Sequence, residues 1–473
     1  MSQKEKYDLA IIGAGSGGLS LASVSAQAGL KTVLFEGHKM GGDCLNYGCV
    51  PSKSLLAVAK QCWQARQTEK LGCQFNQKSL DMVAVMKTVQ QKIDHIAVHD
   101  SVERFEGLGV TVISEYASFL DEHTLKAGDK AYQAKTIVIA TGSSPFVPPI
   151  HGLDSVPYLT NETVFSLQEK PKHMLIIGGG PIGCEMAQAF AMLGVPVSLF
   201  EADQMLRFDD RQAVGSLQDV MKEHGVSFYL QSKMEQIAQK GKAIEVTYSL
   251  NGQQHTELGS HVLVAVGRKP NIDRLNLNNA GVITERGSIQ VDKRLRTAQK
   301  HIYAIGDVIG QQQFTHVANA HAGVVFRQIA FKLPAKWDST YLPSVTYTHP
   351  ELAQIGLTEQ QCQAKGIACS VIQSAFVDND RAVAEGATEG IIKVVINDKG
   401  QALGVTILGL HAGELVLPWV QLMREKRSLR SMTDAIFPYP TLNEISKRVA
   451  GQYYAPKLFS PFAKRVIRIL SRF

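Results

Sequence analysis

"YDLAIIGAGSGGLSLASVSAQAGLKTVLFE", residues 7–36, runs from an apolar stretch through a glycine-rich turn and an Ala/Ser/Leu-rich segment into a second apolar stretch ending in an acid. That order predicts strand, turn, helix and strand, the βαβ unit of an α/β fold. Gly13 permits the tight turn, Gly15 lets the backbone approach a pyrophosphate, and Gly18 allows the helix to pack close to the strand. The helix N-terminus carries partial positive charge suited to phosphate. Glu36 stands where an acid holds a ribose 2′-hydroxyl. A bare glycine motif says little, but with its strand, helix and acid in place it predicts a dinucleotide site.

The pattern recurs at residues 173–201, "HMLIIGGGPIGCEMAQAFAMLGVPVSLFE", with Gly178, Gly180 and Gly183 in the turn and Pro181 opening the helix. Two dinucleotides are therefore expected. Glu201 closes the second strand and would repel a 2′-phosphate, which favours NAD(H); Arg207, six residues on, keeps NADP(H) open. Two more segments read as clamps on a flavin: "IVIATGSSP" at 137–145, with Thr141 and Gly142, and "TAQKHIYAIGDVIG" at 297–310. Asp307 there can accept a hydrogen bond from a ribityl hydroxyl, although a Gly-Asp pair is also a common turn.

Between the two units, "GGDCLNYGCVPSK" at 41–53 sets Cys44 and Cys49 five positions apart. A zinc site needs two further ligands, and no second close cysteine pair or His pair at ligand spacing accompanies them, so no structural metal is expected. A staple closing so short a loop removes little chain entropy. Redox chemistry remains. Pro51 reads as the first residue of a helix, which puts Cys49 just before a helix N-terminus, where the dipole and Lys53 one turn in favour a thiolate. Cys44, farther from that end, is the natural thiol to attack an outside substrate. The other five cysteines, in apolar or unpaired contexts, read as small hydrophobes.

The 473 residues leave room for two to four domains. With 45% hydrophobic and 19% charged residues, neither disorder nor an integral membrane protein is indicated. The polar lead "MSQKEK" passes directly into the first strand without a signal-peptide pattern, so a cytoplasmic protein is expected. A net charge of +6 is spread thinly until the last twenty residues, which argues against nucleic acid as a partner.

Together these residues resemble the pyridine nucleotide-disulfide oxidoreductases, the flavoprotein family of dihydrolipoamide dehydrogenase, glutathione reductase and mercuric reductase. "GGDCLNYGCVPSK" is the most specific motif; "VAVGRKPN" at 264–271, with Gly267, then "IYAIGD" at 302–307 and "THPELAQIGLTE" at 348–359 follow in family order. The resemblance implies two Rossmann-like domains and a C-terminal α+β dimerisation domain: an FAD domain over 1–150 and 273–343, an NAD(P) domain over 151–272, a homodimer-forming domain over 344–460, and a basic tail over 461–473. It implies FAD at the first βαβ unit, NAD(P)H at the second, and electrons passing through Cys49 beside the flavin to Cys44. Lys53 would lie by the flavin, paired with Glu185 of "GGGPIGCE".

The chain departs from the pattern near its end. Members that act on disulfides carry a C-terminal His-Pro with a glutamate five residues after the histidine, and that histidine serves the partner subunit's cysteines as acid and base. Here "FPYPTLNE" has Glu444 but puts Tyr439 at the histidine position. A phenol with an ordinary pKa near 10 cannot shuttle protons at neutral pH as imidazole does. This resembles mercuric reductase, yet the chain ends "RILSRF", without the vicinal cysteines those enzymes carry there. The expected activity is transfer of electrons from NAD(P)H to a small acceptor, a soft metal ion held transiently by Cys44 and Cys49 among the candidates. A dihydrolipoamide dehydrogenase and a membrane-tethered redox module are the alternatives. His316, His321 and His349 are other proton donors that sequence does not place. The tail "SPFAKRVIRILSRF" reads as an amphipathic helix, packed on its own dimer or touching a membrane surface.

Overall fold

Continuous apolar runs such as residues 9–12 and 137–139 suit strands covered on both faces, and in the computed structural model, which describes residues 5–73 and 79–473, they form the parallel middle of a seven-stranded sheet whose strands 124–127 and 117–121 add in antiparallel at one edge. The strand Glu5–Ile12 lies between Thr32–Phe35 and Lys130–Ile139, with Val110–Ile113 beyond the first. Ile302–Ala304, distant in sequence, adds in parallel beside Ile137–Ile139 and brings Asp307 to the same end of the sheet as the first glycine turn. Helix Ser16–Gln27 packs against helix Thr315–Phe331 over one face.

A second parallel sheet has the order 226–230, 197–201, 174–177, 261–264, 158–159. Its central strand Met174–Ile177 is buried throughout, and a separate antiparallel meander of three strands, Lys233–Lys240, Ala243–Leu250 and Gln253–Gly259, packs at its side. The C-terminal region is an antiparallel five-stranded sheet in the order 343–346, 351–356, 402–409, 391–396, 370–375, flanked by helices. Its core centres on Trp419, whose indole N–H donates to Ser446 Oγ at 3.0 Å from helix Glu444–Leu458. Lys393 of this sheet reaches the second parallel domain through Asp210, at 2.9 Å and with both side chains nearly buried, and also bonds Glu359 of its own C-terminal region at 3.2 Å.

Helix Cys49–Gln67 is the element that positions the chemistry, because it packs on both Met82–Ala97 and Pro181–Met192 and so sits where the two nucleotide units meet. It starts two residues earlier than expected. Cys49 is its first residue and Pro51 its third, and Ser52 N already bonds Gly48 O at 3.1 Å. Proline is tolerated there because the first N–H groups of a helix have no partner within it. Of the remaining cysteines, Cys184 and Cys362 are buried, Cys62 and Cys369 partly so, and Cys73 is exposed.

Candidate active site

The two glycine turns are built alike. Gly13 has φ +105° and Gly178 has φ +114°, conformations that favour glycine, and a Cβ on Gly18 or Gly183 would lie 1.9 Å from the carbonyl oxygen of Gly13 or Gly178. Gly15 and Gly180 differ from these: a Cβ on either meets nothing within 4 Å, so protein atoms do not explain the glycine, and the space suits a phosphate at the helix N-terminus. Glu36 accepts from Ala14 N at 2.7 Å and His38 N at 2.8 Å. Glu201 repeats this with Gly179 N at 2.7 Å and Asp203 N at 2.9 Å. Carboxylate oxygens retain capacity for a ribose hydroxyl after accepting one bond each. Both glutamates line a single cleft of about 2700 Å³, as do Arg207, Thr141, Gly142, Gly267, Asp307 and both thiols.

Asp307 is tied to the short strand Ser143–Pro145 by Ser143, whose hydroxyl donates to it at 2.6 Å, and burial raises its pKa. Arg268 joins three parts of the cleft wall, donating to Ser143 Oγ at 2.7 Å and forming ion pairs with Asp43, beside the cysteines, at 3.0 Å and with Asp307 at 3.9 Å. Thr141 Oγ1 donates to Asn271 O at 2.7 Å, closing the same wall. These backbone turns, open glycines and acids fit a flavin dinucleotide at the first unit and a nicotinamide dinucleotide at the second.

Cys44 lies in the short helix Gly42–Asn46, and Cys49 opens onto the cleft at the start of the long one. The pair shares a proton unequally. A hydrogen bond from Cys44, reinforced by Thr315 and the charge of Lys53, holds the Cys49 thiol down to about 6, while that same bond and burial push Cys44 well above the usual thiol range. Thr315 Oγ1 is 3.4 Å from Cys49 Sγ. Lys53 Nζ lies 2.7 Å from Glu185 Oε2 and 4.5 Å over the ring of Tyr347. Glu185 is only 3% exposed, and its other oxygen accepts from Tyr347 N at 2.9 Å. Thr315, Tyr347 and Arg268 were not singled out from the sequence, although Arg268 stands in a stretch that was.

Tyr439 and Glu444 do not join this group within one subunit. Tyr439 is 71% exposed on the C-terminal domain and donates to Asp380 at 3.0 Å, which raises its pKa further from neutrality. Glu444 accepts from Thr441 N at 3.2 Å. Of the three histidines, His321 is buried under Trp337, accepts from Gly306 N at 3.1 Å and is held down to about 4 by burial. His349 is likewise held to about 4 by burial, and its backbone is clamped by Gln188. His316 lines the cleft, bonded to Pro343 O at 3.0 Å. Among the described residues, no group of three or more His, Cys, Asp or Glu side chains converges as a metal site would require.

Residues 7–323 match the pyridine nucleotide-disulphide oxidoreductase family, and residues 342–450 match that family's dimerisation domain. The chain belongs to the pyridine nucleotide-disulphide oxidoreductases. It is 32% identical to a mercuric reductase of Staphylococcus aureus, covering 94% of this chain and 82% of that one. It is 34% identical to a dihydrolipoyl dehydrogenase of Chlamydia muridarum, covering 93% and 95%. A Cu(II) complex of the HOCl-induced flavoprotein disulfide reductase RclA from Escherichia coli superposes with a TM-score of 0.85 at 27% identity, covering 94% of this chain and 99% of that one. The protein is thus a member of an FAD-dependent family that binds NAD(P), with a fold of two nucleotide-binding units and a C-terminal dimerisation domain.

Proposed function

We propose that the protein is an NADH-dependent flavoprotein reductase that delivers electrons through Cys49 and Cys44 to a thiophilic metal ion. The observation that carries this reading is the uneven proton between the thiols, with Tyr439 where a disulfide-reducing member has its histidine. Bound FAD would supply the two-electron link between nicotinamide and thiols. Cys49, favoured as a thiolate, opens onto the cleft that would hold the flavin, and Lys53, anchored by Glu185, balances its charge. Reduction of a Cys44–Cys49 disulfide by two electrons takes up one proton, which Cys44 retains.

The acceptor follows from that proton. A disulfide substrate requires Cys44 to be deprotonated by a base as its sulfur attacks, and then a proton for the leaving thiol. A soft cation displaces the Cys44 proton itself on binding, because thiolate rather than thiol is the ligand. Such an acceptor dispenses with the histidine. The name of the RclA structure, a Cu(II) complex, and the mercuric reductase relatives are in line with this chemistry. Glu201 favours NADH over NADPH, and Arg207 in the cleft wall is the residue that opposes it.

Tyr439→His tests the acceptor argument in a homodimer, where the tyrosine would face the partner subunit's thiols. The substitution, beside the existing Glu444, should raise lipoamide or glutathione-disulfide turnover from a low baseline by up to about a hundredfold, the lower range of general acid–base contributions. High turnover of either disulfide by the unaltered protein would refute the reading.

A further inference from the structure

The last 29 residues contain seven Lys and Arg and no Asp or Glu, against a net charge of +6 for the whole chain, so the rest of the molecule is nearly neutral. Their final segment is a separate helix, Pro461–Leu470, begun by Ser460, whose hydroxyl accepts from Ala463 N at 3.2 Å, and by Pro461 at its first position. At 3.6 residues per turn, Phe462, Val466, Ile469 and Phe473 follow one line, with Ile467 and Leu470 beside it. Lys464, Arg465, Arg468 and Arg472 occupy the opposite side. None of the helix residues is buried: Phe462 is 77% and Leu470 64% exposed, and the helix packs within the subunit on the preceding helix Glu444–Leu458. The apolar stripe is thus not packed on its own subunit. Among the described residues no helix is long and apolar enough to cross a membrane.

We propose that residues 461–473 dock the protein in the plane of an anionic lipid surface, apolar stripe toward the acyl chains and basic side toward the headgroups. Charge selects this occupant. A bulky apolar face opposite four cations matches a layer that is apolar within and anionic at its edge. A second copy of the chain, nearly neutral outside its own last 29 residues, brings no net negative charge to the tail, and two tails side by side repel. The segment lies beyond residues 342–450, which match the dimerisation domain, so the docking face is separate from the matched region.

The test is co-sedimentation of the flavin-loaded full-length protein with vesicles of phosphatidylcholine alone and of phosphatidylcholine mixed with phosphatidylserine, beside a form ending at Ser460. The full chain should bind the mixed vesicles, be released by salt, and stay free of the neutral ones; the shortened form should bind neither while keeping its flavin. Arg465→Gln with Arg468→Gln should weaken partitioning about thirtyfold, from the usual contribution per basic residue at an anionic leaflet. Phe462→Ser with Ile469→Ser should weaken it as well at unchanged charge. Three results would overturn the proposal: absence of binding to the mixed vesicles, equal binding to both kinds, or binding that survives loss of the tail. So would a tail-dependent rise in oligomer size without lipid affinity, which would make a second copy the occupant.

Discussion

Cys44 and Cys49 have the same chemistry in isolation, and their neighbours divide the work. The Cys49 thiolate is favoured first by the hydrogen bond from Cys44, then by Thr315 and Lys53, against the cost of burial. Its folded pKa is lowered, so the thiolate persists above that value and is lost as pH falls through about 6. In the two-electron-reduced protein, charge-transfer absorption between Cys49 and bound FAD should therefore appear as pH rises through about 6, read by anaerobic spectrophotometric titration. Thr315→Val should move the midpoint upward, and Cys49→Ser should abolish the band. A midpoint near the ordinary thiol value in the unaltered protein would refute this division of roles. The two cysteines were legible in the sequence because their motif is local. Thr315 was not, since it reaches Cys49 across 266 positions and nothing in its own stretch marks it as a thiol's partner.

At the level of the element, each glycine turn separates two kinds of glycine. A Cβ at Gly18 collides with the backbone of Gly13, whereas one at Gly15 enters space free of protein atoms. Gly15→Ala should leave the thermal unfolding of flavin-stripped protein unchanged while lowering flavin content after reconstitution; Gly18→Ala should disturb both. Equal flavin retention by Gly15→Ala and the parent would remove the phosphate from that position. The turns are legible in the chain itself because strand, glycines and acid are close neighbours along it. The start of the helix carrying Cys49 is not, because proline is tolerated at several positions of a first turn, so Pro51 does not mark which residue comes first.

Across the whole molecule, the fold brings residues near 14, 49, 143, 185, 268, 307 and 347 to one cleft between the nucleotide units, and it leaves Tyr439 outside on the C-terminal domain. The two glycine motifs were enough to anticipate the two nucleotide units, and the family resemblance implied the C-terminal domain. The joints between them were not legible, since Arg268 bridging Asp43 and Ser143, and Lys393 reaching Asp210, depend on how separately folded parts meet. The acceptor is a property of this scale too, because it depends on which proton-transfer groups reach the thiols in the assembled protein. The most direct measurement is anaerobic NADH oxidation with Hg(II), Cu(II), lipoamide and glutathione disulfide offered separately to the parent protein and to Cys44→Ser. The account predicts metal-dependent oxidation that Cys44→Ser abolishes, with both disulfides near background. Disulfide turnover equal to that with metal, or metal-dependent oxidation that Cys44→Ser leaves intact, would contradict it.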